Sequence, residues 1–399
     1  MQDIDSRIAA AFSLMGPGFQ RVYGRAATDD AGYLDEVAGV KRFRECWSWD
    51  PAFQESFRED PAAALADRGV TVDAEALRPL WDPDGAGAGA PSRPVARFRA
   101  ARAEMQLRSR LIRADALAIA DPTFASWSAR QLAQLTETLG AGHMRRVGLY
   151  PVALELQTGC SVGCWFCGVS AERLTEVWPY SGENAALWRG VLDVVHARIG
   201  APAAYGFCYW ASDPLDNPDY EAFAEDYRAR FDRHAQVTTA IPLRDREMTR
   251  RILDRARASR REVHRFSLLN RRILRDVHRE FSARELLYVE LVPRFSDRRA
   301  ELAPAGRARN QRAGQPDQAK AAPDGTIATI ACVAGFLINM PERRVRLVRP
   351  CAPSEAWPDG YETLDAARFD GASGLDDSLR RMIDRHMVGA RAGGEMQRA

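Results

Sequence analysis

Three cysteines at a characteristic spacing are the residues in this chain best suited to chemistry. Cys160, Cys164 and Cys167 form a C-x3-C-x2-C pattern directly after an apolar segment. Three thiolates at this spacing can bind three irons of a 4Fe-4S cluster and leave the fourth iron without a protein ligand. An open metal position is where a substrate or cosubstrate binds. Gly159 and Gly163 allow a short loop to wrap around such a cluster.

Zinc is the main alternative for this cysteine pattern. A structural zinc ion is held by four ligands. No fourth Cys or His follows the triad nearby, and the closest upstream histidine, His143, precedes the apolar segment. The pattern therefore favours an iron–sulfur cluster over zinc or a buried cluster of cysteines.

The loop resembles the cluster loop of the radical S-adenosylmethionine (SAM) superfamily. The cysteine spacing, the preceding apolar segment and the aromatic Phe166 before the third cysteine carry this resemblance. It implies two cofactors, the 4Fe-4S cluster and S-adenosyl-L-methionine, which chelates the open iron. In that superfamily the reduced cluster splits SAM into methionine and a 5′-deoxyadenosyl radical, which removes a hydrogen atom from the substrate.

Composition limits the partners and the cellular compartment in which this chemistry is expected. The chain has 399 residues, of which 46% are hydrophobic and 28% charged, enough for a large core and a smaller domain. Its 56 basic and 54 acidic residues give a net charge of +2, which offers no case for a nucleic acid or an anionic membrane as partner. No apolar run is long enough to span a membrane, and no signal peptide is recognised. Seven cysteines are too few for a disulfide scaffold, so we expect a reducing, cytoplasmic setting.

Shifts in composition predict six segments along the chain. We expect a helical accessory domain at residues 1–82, a linker at 83–98, a helical lead-in at 99–149, a barrel at 150–300, a mobile loop at 301–325 and C-terminal strands with an extension at 326–399. The first segment weakly resembles the folded leader region of nitrile-hydratase-type peptide precursors, and a plain helical domain is the alternative. The mobile loop is expected to order over bound substrate.

Strand and helix patterns alternate after residue 150, which predicts an α/β fold with parallel strands. About six such units favour a partial (β/α)6 radical SAM barrel, with an N-terminal helical domain and a C-terminal β-hairpin and helix extension. The predicted strands are Tyr150–Gln157, Ala204–Trp210, Gln236–Ile241, His264–Leu268, Leu286–Val292, Thr326–Ile338 and Arg343–Val348. Active residues of such barrels lie at the carboxyl ends of strands, where the cysteines also stand.

The end of the second predicted strand carries Ser212 and Asp213. In radical SAM enzymes this strand end contacts the amino group of SAM, so the resemblance implies that role here. An ammonium group needs acceptor oxygens, which both side chains have. The alternative is a simple Asp-Pro turn, and Asp216-Asn217-Pro218 is expected to be an Asx-capped turn.

Three polar residues mark the fourth and fifth predicted strands. Ser267 and Asn270 lie where the resemblance implies binding of the SAM ribose or carboxylate. Glu290 is a charged residue within an apolar strand, and burying its carboxylate costs free energy unless the carboxylate is paired. Glu290 either serves the cosubstrate or faces outward against a helix.

Two cysteines bracket a predicted C-terminal hairpin, Cys332 before it and Cys351 after it. The outline resembles the start of SPASM-type auxiliary-cluster domains. No cysteine follows Cys351, so a second four-thiolate cluster cannot form from this region. A thiol has another use, because it can return a hydrogen atom to a peptide Cα from which one has been removed on the opposite face.

The layout resembles the radical SAM epimerases that mature ribosomally made peptides of the proteusin type. The shared points are the N-terminal helical unit, the cysteine loop, residues 213–220 and residues 350–361. By this resemblance one C-terminal cysteine is the hydrogen donor that converts L- to D-residues. Cys351 is preferred because it follows a proline at a strand end, whereas Cys332 lies in an apolar strand, where free cysteine is often a small buried hydrophobe.

The resemblance implies two partners: a precursor peptide with leader and core, and a cellular one-electron reductant such as flavodoxin or ferredoxin. Aromatic residues of the N-terminal segment either anchor the leader or fill a small core of their own; they are Trp47, Trp49, Phe53, Phe57 and Trp81. Two other functions stay open. One is a radical SAM maturase that forms thioether or carbon–carbon crosslinks, and the other is a non-catalytic iron–sulfur protein.

Overall fold

The computed structural model describes residues 4–14, 31–85, 91–139, 149–259, 263–295, 305–313 and 332–388. The chain divides into two compact units. The first combines Met1–Ala114 with Val237–Asp297, and the second combines Asp115–Gln236 with Arg298–Ala399. Each unit is therefore built from two stretches that are distant in the sequence.

Helices make up the N-terminal stretch of the first unit. They span Ile4–Ser13, Ala31–Trp49, Pro51–Glu59, Pro61–Asp67, Arg78–Trp81 and Arg93–Ala118, the last of which continues into the second unit. Asp60 ends one helix and caps the next, because its carboxylate accepts the Ala63 N–H at 3.0 Å while Pro61 occupies the first turn. Gly69 follows with φ of 62°. This stretch thus runs as helix, break, helix and glycine stop.

The aromatic residues of this stretch pack on one another. Phe43 lies against Trp47, Phe53 and Phe57, and Trp81 meets Trp47 and Phe57 edge-on. The same core includes Ala256, Leu287 and Tyr288 from the second stretch of the unit. Arg42 also donates to the carbonyls of His278 at 3.0 Å and Phe281 at 2.7 Å. The N-terminal helices and residues 237–297 thus share one core.

Nine strands occur in the described part of the chain. They are β1 (Tyr150–Glu155), β2 (Gln157–Thr158), β3 (Glu176–Val177), β4 (Thr238–Thr239), β5 (His264–Leu268), β6 (Val289–Pro293), β7 (Val333–Asn339), β8 (Arg344–Pro350) and β9 (Tyr361–Arg368). In the first unit β4, β5 and β6 form a parallel sheet. The helices Arg246–Ser259 and Arg271–Glu280 connect these strands, as the alternating pattern predicts.

A mixed sheet in the order β1-β7-β8-β9 organises the second unit. β1 pairs in parallel with β7, and the strands from β7 to β9 are antiparallel neighbours. The two-stranded pair β2-β3 follows β1 directly. Helices at Pro122–Leu139, Gly182–Ile199, Tyr220–Phe231, Gly306–Ala313 and Ala372–Met382 complete the unit.

The α/β class is confirmed, but the partial barrel is not, because the described strands form three separate sheets. The predicted strand Ala204–Trp210 is largely wrong. Residues Ala201–Tyr205 form a 3-10 helix, and a single parallel bridge joins Phe207 to Ala153. The 3-10 helix takes up the first two residues of the predicted strand, which shortens what could pair with β1. None of the helices found in the described ranges has the length and apolar character needed to cross a membrane.

Candidate functional site

The cysteine loop (residues 159–175) connects β2 to β3 and depends on glycine for its shape. Gly159 has φ of 84°, and a Cβ there would come within 2.3 Å of the Arg173 carbonyl oxygen. The next amide, that of Cys160, donates to the Glu172 carbonyl at 2.9 Å. Gly163 has φ of 63°. A side chain is therefore excluded at Gly159, and the positive φ favours glycine at both positions.

The environment of the cysteine loop raises the pKa of two of its three thiols. Cys160, Cys164 and Cys167 are all free and partly exposed. Burial is the main cause that raises the pKa of Cys164 to about 12, and the charges of Cys160 and Cys167 raise it further. Burial likewise raises the pKa of Cys160 to about 11, with Asp213 contributing. Both shifts disfavour the thiolate forms of Cys160 and Cys164, and a bound cation would oppose them.

The donor set fits an iron–sulfur cluster. Within the ranges that the structure describes, no group of three or more His, Cys, Asp or Glu side chains is arranged to hold a single metal ion. A 4Fe-4S cluster makes a different demand, because each thiolate binds a different iron and the sulfurs do not converge on one point. Three free thiols on one short loop satisfy that demand.

Phe166 stands between the second and third cysteines, as the sequence analysis noted. Its side chain is buried and meets the ring of Trp165 edge-on, with centroids 5.5 Å apart. The ring thus packs against its neighbour Trp165 within the cysteine loop. A direct role toward a cofactor stays a prediction.

Asp216 fastens the cysteine loop from one side. Its carboxylate accepts the Ser161 N–H at 2.9 Å and the Ser161 hydroxyl at 2.5 Å. The next residue, Asn217, is fully buried and donates to the carbonyls of Leu156 at 3.1 Å and Trp178 at 2.9 Å. The predicted turn at these residues therefore also holds the loop and both of its flanks. Its sequence signals a turn but not the residues that the turn binds.

Ser212 and Asp213 lie beside the end of β1, in the same unit as the cysteines. Asp213 is buried, and its carboxylate accepts the Leu215 N–H at 3.1 Å. Gln157 donates from Nε2 to the Asp213 carbonyl at 2.5 Å. The Ser212 hydroxyl oxygen and Gln157 Oε1 are buried and find no hydrogen-bond partner among the described residues. Buried polar atoms without partners are costly, so this place suits a polar ligand.

Ser267, Asn270 and Glu290 belong to the first unit. Ser267 is buried within β5. Asn270 caps the helix Arg271–Glu280, because its side-chain oxygen accepts the Ile273 N–H at 2.9 Å. Glu290 is exposed and pairs with Arg265 on the neighbouring strand at 2.8 Å. Asn270 and Glu290 thus have local structural roles, and binding of the cosubstrate by all three stays a prediction.

The two C-terminal cysteines lie at the same end of the β7-β8 hairpin, and both are partly exposed and outside any disulfide. The Cys332 carbonyl accepts the Tyr150 N–H at 2.8 Å, so Cys332 is level with the start of β1. The cysteine loop leaves the opposite end of that strand, whose six residues span about 17 Å. Burial raises the pKa of the Cys351 thiol, and the Glu362 carboxylate raises it further.

A helix from the segment predicted to be mobile packs on the cysteine loop. We call Gly306–Ala313 the bridging helix. Arg307 donates from Nε to the Cys164 carbonyl at 2.8 Å, from Nη1 to the Ala171 carbonyl at 2.7 Å and from its backbone N–H to the Cys167 carbonyl at 2.9 Å. Gly306 has φ of 53°, and a Cβ there would come within 2.5 Å of the Cys167 carbonyl oxygen. Residues 301–304 and 314–325 of the predicted mobile loop lie outside the described residues.

The bridging helix also holds the loop that follows Cys351. Gly306 donates its N–H to the Pro358 carbonyl at 2.8 Å, and Arg309 donates to the Ser354 carbonyl. The Cys351 N–H in turn donates to the Gly360 carbonyl at 2.9 Å. A short path of hydrogen bonds therefore connects Cys351 to the cysteine loop. The sequence showed a basic, apolar-poor segment here and gave no sign of these partners.

Glu155 is a buried carboxyl at the end of β1 that the sequence analysis did not single out. It accepts the Ala211 N–H at 2.9 Å, and Asn339 lies 3.5 Å from its other oxygen. Burial raises the pKa of this carboxyl, while the Ala211 N–H opposes the shift. Glu155 thereby ties the residues before Ser212 to β1.

Comparisons with known proteins place the chain in a family. No protein-family model matches it. The chain is 35% identical over 392 residues to the uncharacterized protein y4wI of Sinorhizobium fredii, an alignment that covers 94% of this chain and 74% of that protein. The chain therefore belongs to the y4wI family. Among solved structures, that of BtrN in complex with AdoMet and 2-DOIA is similar at 12% identity and a TM-score of 0.30, over 49% of this chain and 72% of BtrN.

Proposed function

We propose that this protein is a radical SAM enzyme whose cluster is held by Cys160, Cys164 and Cys167. The single observation that carries the proposal is the set of three free, partly exposed thiols on one glycine-shaped loop. When bound, a reduced 4Fe-4S cluster and S-adenosyl-L-methionine would supply a 5′-deoxyadenosyl radical that removes a hydrogen atom from the substrate.

Ser212 and Asp213 are the proposed contacts for the amino group of the cosubstrate. Asp213 supplies a buried carboxylate, and Ser212 and Gln157 supply buried oxygens that have no partner among the described residues. These are the acceptors that an ammonium group needs.

The finer proposal is that the substrate is a precursor peptide and the reaction is inversion of L- to D-residues. After a Cα–H has been removed from one face, the Cys351 thiol would return a hydrogen atom from the other face. The S–H bond breaks, a new Cα–H bond forms and a sulfur-centred radical remains on Cys351. One electron from a flavodoxin- or ferredoxin-type reductant and one proton from water would restore the thiol.

Cys351 is proposed as the donor in preference to Cys332 because of its surroundings. The loop after Cys351 is joined through Gly306 and Arg307 to the carbonyl of Cys167. Cys332 instead lies beside Tyr150, Tyr209 and Trp210 at the edge of an apolar cluster. That environment suits a packing role for Cys332.

Co-expression with a precursor peptide in D2O tests the proposed function. Epimerisation leaves the peptide mass unchanged in H2O and adds one deuterium for each inverted centre in D2O, because the donor thiol exchanges with solvent. A peptide that gains no deuterium contradicts the epimerase proposal. A loss of two hydrogens would instead identify the crosslinking reaction.

A further inference from the structure

We propose that Arg307 is a positioning residue that fixes the cysteine loop and, as a stationary cation, favours the reduced form of the bound cluster. This inference rests on the proposed function, because it assumes that the loop binds an iron–sulfur cluster. Its structural half, the clamping of the loop, does not depend on iron.

The contacts of Arg307 are spread across the loop. Its side chain reaches the carbonyls of Cys164 and Ala171, and its backbone N–H reaches the carbonyl of Cys167. The planar guanidinium can serve two carbonyls at once, which a lysine ammonium on a single flexible stem does less well. Arg307 therefore fixes the backbone at two of the three cysteines and, through Ala171, in the part of the loop that leads to β3.

The positive charge of the Arg307 guanidinium is not neutralised by an ion pair within the described part of the chain. Among the described residues both hydrogen-bond partners of its guanidinium are neutral carbonyl oxygens, and no carboxylate there forms an ion pair with it. Three thiolates around a cluster concentrate negative charge, and each added electron increases that charge. A fixed cation nearby lowers the free energy of the reduced form, and net charge together with hydrogen bonding is known to set cluster potentials.

Arg309 provides a matched control on the same helix. It carries the same charge two positions further on, but it donates to the Ser354 carbonyl in the loop after Cys351. Substitution of either arginine by glutamine removes one positive charge from the bridging helix. A difference between the two variants therefore reports the position of the cation and not the net charge of the protein.

The first test measures the midpoint potential of the anaerobically reconstituted cluster by redox titration followed by electron paramagnetic resonance. For Arg307→Gln we expect the ratio of reduced to oxidised cluster at a fixed potential to fall about tenfold, which is ~59 mV for a one-electron couple. Arg307→Lys should recover part of this ratio, and Arg309→Gln should match the wild type. Equal potentials in Arg307→Gln and Arg309→Gln would overturn the role of the charge.

The second test measures hydrogen exchange in the iron-free protein. Arg307→Gln should speed exchange of the amides at residues 160–174, whereas Arg309→Gln should leave those amides protected as in the wild type. Unchanged exchange in Arg307→Gln would overturn the clamp. A wild-type protein that takes up no iron would refute the proposed function and the role of the charge, while the exchange result would still decide the clamp.

Discussion

The carboxylate of Asp216 accepts both the backbone N–H and the hydroxyl of Ser161, at 2.9 and 2.5 Å. Ser161 directly follows the first cysteine of the triad. Asp216 therefore sets the direction in which the loop leaves Cys160. Arg307 holds the carbonyls of Cys164 and Ala171, further along the loop. An anion and a cation thus fasten the loop at different residues, and each contributes charge-assisted hydrogen bonds.

Asp216→Asn should weaken the fastening of the loop, because the amide replaces an ionised acceptor. Hydrogen bonds to charged groups contribute about 1.5–3 kcal/mol each, so we expect a loss of about 2 kcal/mol in the free energy of unfolding and a lower iron content after reconstitution. The control is Asp219→Asn, since Asp219 accepts the Tyr180 N–H at 2.9 Å and its carboxylate has no hydrogen bond to the cysteine loop among the described residues. Equal iron content in the two variants would contradict the assigned role of Asp216.

Gly306→Ala should separate the bridging helix from the cysteine loop. The added Cβ would meet the Cys167 carbonyl oxygen at 2.5 Å and the backbone of Gly168 at 2.6 Å, at a φ of 53° that side chains rarely adopt. We expect faster proteolysis or exchange at residues 305–313 and reduced retention of iron. Gly182→Ala is the control, because a Cβ there meets no atom within 4 Å. If both variants keep the wild-type iron content, the close approach at Gly306 is not needed.

Local patterns made part of this site predictable from the sequence. The cysteine spacing, the glycines of the loop, the strand before it and the helix caps all depend on residues that are close together in the chain. The fastening residues could not be predicted in this way. Ser161 and Asp216 are 55 positions apart, and Cys164 and Arg307 are 143 apart. Nothing within either short segment indicates its distant partner.

Sheet pairing was the other feature that the sequence did not reveal. The strand next to β1 is β7, far along the chain, whereas the pattern of alternating elements favoured the segment after the first helix. That segment pairs with β1 at Phe207 alone, within the described residues. Apolar, β-prone residues made Ala204–Trp210 resemble a strand, but Gly206 packs closely on Val152 and the preceding residues coil into a 3-10 helix.

Glu155→Gln should change how stability depends on pH. Burial raises the pKa of this carboxyl above its ordinary 4.5, so the folded protein holds the proton more tightly than the unfolded chain does. The contribution of Glu155 is fully present below that ordinary value and is lost as the pH rises through the raised pKa. Glutamine does not titrate and keeps an acceptor for the Ala211 N–H.

The measurement for Glu155 is thermal unfolding at several pH values. The melting temperature of Glu155→Gln relative to the wild type should increase as the pH rises from 4.5 through the raised pKa. The exposed Glu355→Gln, in a loop, serves as the control for the loss of one carboxylate. A difference from the wild type that stays constant as the pH rises would contradict the assigned effect of Glu155.

Cys351→Ala and Cys332→Ala separate the two possible hydrogen donors. Cys351→Ala should still form deoxyadenosine in the presence of the peptide but add no deuterium to it in D2O. Cys332→Ala should retain deuterium incorporation, because its side chain packs at the edge of an apolar cluster. Circular dichroism of both variants would confirm that they fold. The reverse result, an active Cys351→Ala and an inactive Cys332→Ala, would refute the donor assignment.

The central claim is that Cys160, Cys164 and Cys167 hold a cluster with an open iron. The most direct measurement is anaerobic reconstitution with iron and sulfide, followed by reduction with dithionite, addition of S-adenosylmethionine and assay of metal content and 5′-deoxyadenosine. The wild type should bind about four irons per chain and form deoxyadenosine, whereas Cys164→Ala should form none. A wild-type protein that binds zinc, or that never yields deoxyadenosine, would contradict the claim.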